Sequence, residues 1–203
     1  MPSYIQYTGV GDATSYHQRG TPNSNTSEFE ANWDDLRFPA TAINPPGQAS
    51  DPDVEATTGL LLFAAAGTET IFALVQMPHS WKEGSVVKPH VHWQKTTSAD
   101  GDVYWQLDYK KIPIGDVMDA EFTTLSATTP VSGTPDNDTA NEHLLTSFAD
   151  IDMTGLTLSD CLLCKLSRIG GNAADTYGAD ARLLEFDVHF QINTLGSEQL
   201  YTK

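Results

Sequence analysis

Cysteine is scarce: Cys161 and Cys164 are the only two in 203 residues, too few for a disulfide framework. Basic side chains are scarce as well, 11 against 27 acidic ones, which leaves a formal net charge of −16. A surface that negative repels phosphate backbones, and isolated lysines such as Lys82 and Lys110-Lys111 make no basic patch, so direct nucleic-acid binding is not expected. No apolar run approaches the roughly 20 residues that a membrane-spanning helix needs. Met1-Pro2-Ser3-Tyr4 lacks the basic start and apolar core of a secretory signal, so no membrane association is expected and the chain is expected to be made in a cytoplasm. Long helical periodicity is missing too.

Thr, Ser, Asn, Gly and Pro fill the space left by a hydrophobic fraction of 39% and a charged fraction of 19%. These residues belong to turns and strand surfaces, which favours an all-β chain. Residues 1–32 read as an extended, turn-rich N-terminal arm, polar in Gly20-Thr21-Pro22-Asn23-Ser24-Asn25-Thr26-Ser27 but carrying Tyr4, Tyr7, Tyr16 and Phe29. Aromatics on an unstructured arm suggest a segment that orders against a neighbouring subunit, and Trp33 and Arg37 at its root extend that candidate interface.

Residues 33–203 read as one β-sandwich domain. Leu60 to Ala64 and Thr70 to Met77 flank Gly67-Thr68, which predicts a hairpin. Val86 to Lys95 is a further strand, and Pro89 predicts an edge position or a late start. Val103, Trp105, Leu107 and Tyr109 alternate with Gln106, Asp108 and Lys110, the clearest strand signal in the chain. Shorter strands are expected around Phe122 to Ser126, His143 to Phe148, Leu162 to Leu166 and Leu183 to Ile192, with a short helix or ledge at Leu156 to Asp160. Strands at this spacing predict a two-sheet antiparallel sandwich, with a jelly roll as the preferred topology.

His90-Val91-His92 is the most chemistry-like feature, since residues two apart on a strand point to one face and could share a metal. Gly84 followed by His90-x-His92 resembles the start of the first cupin motif, and His189 the end of the second. Thr96 and Thr97 stand where that motif needs a Glu, so a cupin-like metalloenzyme using His90, His92 and His189 is the alternative reading. The preferred one puts His90 and His92 on a solvated or interface face opposite Val91 and Trp93, with no metal, no cofactor and no catalytic residue assigned. Cys161-x-x-Cys164 lacks the partner ligands of a zinc site and reads as two small side chains in or near the core. Asp34-Asp35 is expected to hydrogen-bond backbone where the domain begins.

Three segments carry a family likeness. They are Trp33-Asp34-Asp35-Leu36-Arg37-Phe38-Pro39 with Asn44-Pro45-Pro46-Gly47, Pro78-His79-Ser80-Trp81-Lys82-Glu83-Gly84 leading to Pro89-His90-Val91-His92-Trp93, and Lys165 to Gly171 with Leu184-Glu185-Phe186-Asp187-Val188-His189-Phe190. Together they resemble small structural proteins encoded by tailed bacteriophages. That resemblance implies a non-enzymatic virion component, above all a capsid decoration (cement) protein. Such a protein is a homo-oligomer, with a trimer favoured, whose partner is the major capsid protein. A glycan-binding head- or tail-fibre module, stacking sugars on exposed Trp81, Trp93 or Tyr104, is a further alternative.

Overall fold

A computed structural model describes residues 31–45, 47–130 and 139–200. The expected arm with Tyr4, Tyr7, Tyr16 and Phe29 lies outside the described residues.

The chain forms β1 (Asn32–Pro39), β2 (Asp53–Val54), β3 (Leu61–Phe63), β4 (Thr68–Gln76) and β5 (Lys88–Lys95). It continues with β6 (Asp102–Ile112), β7 (Thr123–Pro130), β8 (His143–Ser147), β9 (Cys161–Ile169) and β10 (Ala181–Ile192). Among the described residues the helical structure is a single 3₁₀ turn at Ala40–Ala42, and no helix is long and apolar enough to cross a membrane.

One sheet has the order β2-β3-β10-β5-β8, with β1 also paired to β10, and the other has the order β4-β9-β6-β7. This order is a folded ribbon: β3 pairs with β10, β4 with β9, β5 with β8 and β6 with β7, all antiparallel. Wrapping the ribbon so that β10 meets β5 and β9 meets β6 produces two facing sheets. That connectivity is the jelly roll. The expected all-β, two-sheet architecture holds.

The alternation of each strand sets its inner face. Leu61 and Phe63 of β3, Val91 and Trp93 of β5, and Phe186, Val188 and Phe190 of β10 meet Ile71 and Val75 of β4, Trp105 and Leu107 of β6, and Leu162 and Leu166 of β9. Trp105 joins the sheets, contacting Phe63 edge-on at 5.2 Å between ring centroids and Trp93 at 6.0 Å. The Trp93 indole donates to Thr146 Oγ1 at 2.9 Å, so its polar edge is satisfied.

Several local expectations change. The Leu60–Met77 region is not a hairpin, because β3 pairs with β10 and β4 with β9. The turn at Gly67, with φ of 80°, instead carries the chain from one sheet to the other. Of the two expectations for Pro89, the late start holds and the edge position does not: β5 begins at Lys88 and lies between β10 and β8. Leu156 to Asp160 is a ledge of turns, with Leu156 and Leu158 buried beneath it. Trp33–Pro39 is a full strand, β1, with Leu36 and Phe38 turned to the core and Phe38 against Phe186 at 6.0 Å.

Candidate functional site

The outer face of the first sheet gathers the chain's chemistry. Antiparallel pairing sets Asp187 opposite Arg37 on one side and His90 on the other. One step along, His189 stands between Asp35 and Lys88. Directly opposed residues on one face have Cβ atoms about 5 Å apart, so these side chains must interact. The inner-face partners Val91, Trp93, Phe186 and Val188 are fully buried, which forces the intervening residues outward.

His90 Nε2 lies 3.0 Å from His92 Nε2, and His92 Nε2 lies 3.4 Å from Asp187 Oδ2. His90 Nε2 is also in ion-pair contact with Asp187 Oδ1. On its far side, His92 meets His143 of β8, Nδ1 to Nε2, at 2.7 Å. His189 stacks edge-on to His90 at 4.3 Å and pairs through Nε2 with Asp35 Oδ1 at 2.9 Å. Four of the six histidines therefore occupy one patch. His90 and Asp187 are only 4% and 3% exposed although they stand on the outer face.

Burial lowers the basicity of both central rings. At His90 the hydrogen bond and charge of Asp187 outweigh it, leaving that imidazole raised above its ordinary value. At His92 burial dominates, and the neighbouring His90 and His143 add to it, so its imidazole is lowered despite Asp187. One ligand atom each from His90, His92 and Asp187 lie within 4.8 Å of one another, the arrangement able to hold a cation among the described residues. His189 is not one of the three; its Nε2 is engaged by Asp35. The cupin-like grouping of His90, His92 and His189 is thus not the one the fold builds. The interior, where an enclosed site would sit, is filled by Trp93, Trp105 and Phe63.

The same face continues over β1. Trp33 is 47% exposed, with the Lys88 ammonium 5.5 Å from its ring centroid. Arg37 forks onto Glu185, its Nη2 donating to Oε2 at 2.8 Å. Of the other expected platforms, Trp81 and Trp93 are fully buried, and Tyr104, on the outer face of β6 between the inward Val103 and Trp105, is half-buried. Trp105 is core, as its alternation predicts. Cys164 is buried and Cys161 half-buried, and both are free thiols. Asp34 accepts from the Asp35 amide at 3.0 Å, as expected where the domain begins, whereas Asp35 itself serves His189.

His143, Glu185 and Asp187 carry no role in the sequence reading, and Asp35 carries a different one. A signal for Glu185 and Asp187 exists: with His189 they alternate with Phe186, Val188 and Phe190. Their meeting with β1, β5 and β8 is a product of topology alone.

No family model matches the chain, and no curated protein matches it. Two solved structures are similar to it. A family 35 carbohydrate-binding module of Abf62 from Cellvibrio japonicus is 10% identical, covers 79% of this chain and 99% of its own, and has a TM-score of 0.40. The Eiger TNF of S. frugiperda is 12% identical, covers 87% of this chain and 92% of its own, and has a TM-score of 0.27. The jelly roll is assigned by the strand order itself, and neither likeness carries a function to this chain.

Proposed function

We propose that this chain is a non-enzymatic structural protein of a tailed-phage virion, a decoration protein that docks on the capsid and cements several of its subunits. The observation that carries this reading is the convergence of the family-like segments. Trp33–Pro39 is β1, the stretch after Pro78 leads into β5, and Leu184–Phe190 lies in β10; these strands are neighbours in one sheet. Their shared outer face presents Trp33 and Arg37, residue types that dominate buried contacts at protein interfaces. A net charge of −16 keeps free copies apart until docking. The partner is the major capsid protein, the working oligomer a trimer, and the location the virion.

The test is shell stability. Empty shells assembled from the capsid protein of the same virus are heated with and without saturating chain, and sedimentation equilibrium gives the chain's own mass. Decoration raises the temperature at which shells open; an unchanged temperature with no bound chain would refute the reading. Exposure of Trp33 also leaves room for a second reading, a glycan module. Binding to immobilised polysaccharide that is lost in Trp33→Ala, without shell binding, favours that one.

A further inference from the structure

We infer that His90, His92 and Asp187 form a binding site for one divalent transition-metal ion of the zinc class on the outer face of the first sheet.

The first argument is a count of hydrogens. A neutral imidazole nitrogen carries either one proton or one lone pair, so it can serve one partner well. Here His90 Nε2 faces both His92 Nε2, at 3.0 Å, and Asp187 Oδ1. His92 Nε2 faces both His90 Nε2 and Asp187 Oδ2, the latter at 3.4 Å. Protons cannot satisfy every one of these contacts together. The shortfall falls on Asp187 Oδ1: it is buried, and the nitrogen it meets, His90 Nε2, is shared with His92 Nε2. A buried carboxylate oxygen left short of a partner is costly unless a cation meets it.

The second argument is distance. Tetrahedral zinc with bonds of about 2.0–2.1 Å holds its donor atoms about 3.3 Å apart. Two of the three donor contacts, at 3.0 and 3.4 Å, bracket that value, while the third, His90 Nε2 to Asp187 Oδ1, is tighter and would have to open to admit the ion.

The third is the support around the rings. Ligating imidazoles characteristically use their other nitrogen to bond a fixed partner, which sets ring orientation. His92 does so through Nδ1 to His143 at 2.7 Å, and His90 has a backbone hydrogen bond with Lys88. Two imidazoles with one carboxylate select zinc-like ions over calcium or magnesium, which prefer oxygen. Three protein donors leave a position that water can fill. Asp35 and Glu185 add negative charge nearby. Metal binding and shell docking are separable, since the isolated chain would bind zinc whether or not it meets a capsid.

The experiment uses the full chain, stripped with chelator, dialysed against Zn²⁺ and assayed for retained metal by mass spectrometry, with Ca²⁺ and Mg²⁺ in parallel. One equivalent of zinc is expected, with no calcium or magnesium retained. His92→Ala should weaken retention by about a hundredfold, and His143→Ala by about tenfold. The double substitution Cys161→Ser/Cys164→Ser should leave it unchanged. Asp187→Asn, nearly isosteric, is the second ligand variant should His92→Ala fail to fold, as judged by circular dichroism. Absence of retained zinc, preference for calcium, or zinc retained equally by folded His92→Ala or Asp187→Asn overturns the site.

Discussion

Arg168 of β9 and Asp175 of the loop after it form a bidentate ion pair closed to solvent, Nη2 to Oδ1 at 2.8 Å and Nε to Oδ2 at 2.9 Å. The same guanidinium donates to the carbonyls of Phe63, Ala179 and Tyr177, tying the loop before β10 to β3. Every face of the group is therefore used, which a buried charge requires. Arg168→Ala should cost about 3–5 kcal/mol, because it strands Asp175 and several carbonyls without a partner. Arg168→Lys should fail to restore it, a lysine being unable to reproduce the fork. Urea denaturation of each variant checks this, and a loss below about 1 kcal/mol for Arg168→Ala would contradict it.

Asp108 of β6 gives an acid-stability prediction. Burial would raise its carboxyl, but hydrogen bonds from Thr124, Gln106 and Lys165, and the charge of Lys165, outweigh burial and hold it below its ordinary value. The folded value thus lies below the unfolded one. The contribution to stability is present above the unfolded value, about 3.9, and is lost as pH falls through the folded value. Asp108→Asn should be less stable than the parent at pH 7 and lose less stability between about pH 5 and 3. Parallel acid titrations followed by circular dichroism measure it; equal slopes would remove Asp108 from the account.

The thiols should behave unequally. Burial pushes the Cys164 thiol up to about 12, and burial with Asp160 nearby also raises Cys161. Reactivity needs thiolate and access. In native protein at pH 8, a thiol reagent should label Cys161 slowly and leave Cys164 untouched, and both should react at once in denaturant. Rapid native labelling of Cys164, located by peptide mapping, would mean that β9 opens far more readily than its pairing allows.

Gly170, just past β9, lies against the segment linking β3 to β4. A Cβ there would stand 2.4 Å from the Ala65 carbonyl oxygen, a backbone atom that cannot step aside. Gly170→Ala should therefore cost about 1–3 kcal/mol, whereas Gly171→Ala, whose Cβ meets nothing within 4 Å, should be tolerated. The difference in melting temperature between the two variants tests this.

Sequence reading reached the class of fold because its strongest signals are local. The alternation through Val103 to Tyr109 and the punctuation by Gly and Pro are properties of single strands. It missed β1 because Trp33-Asp34-Asp35-Leu36-Arg37-Phe38 buries just Leu36 and Phe38, too short an alternation to stand out. It joined β3 to β4 because a turn glycine marks a reversal without saying which sheet receives the next strand. His90 and His92 were legible as a pair, since they share one strand. Asp187 and His143 were not, since they come from strands 97 and 51 residues away that meet the pair by pairing alone.

The most direct test of the docking face is cosedimentation of purified chain with empty shells from its own virus. The double variant Trp33→Ala/Arg37→Ala alters the proposed face, and Phe72→Ala alters an exposed residue on the other sheet. The account expects parent and Phe72→Ala to sediment with shells at equal occupancy, and the double variant to bind about tenfold more weakly or worse. Equal binding by all three proteins, or loss in Phe72→Ala alone, would contradict it.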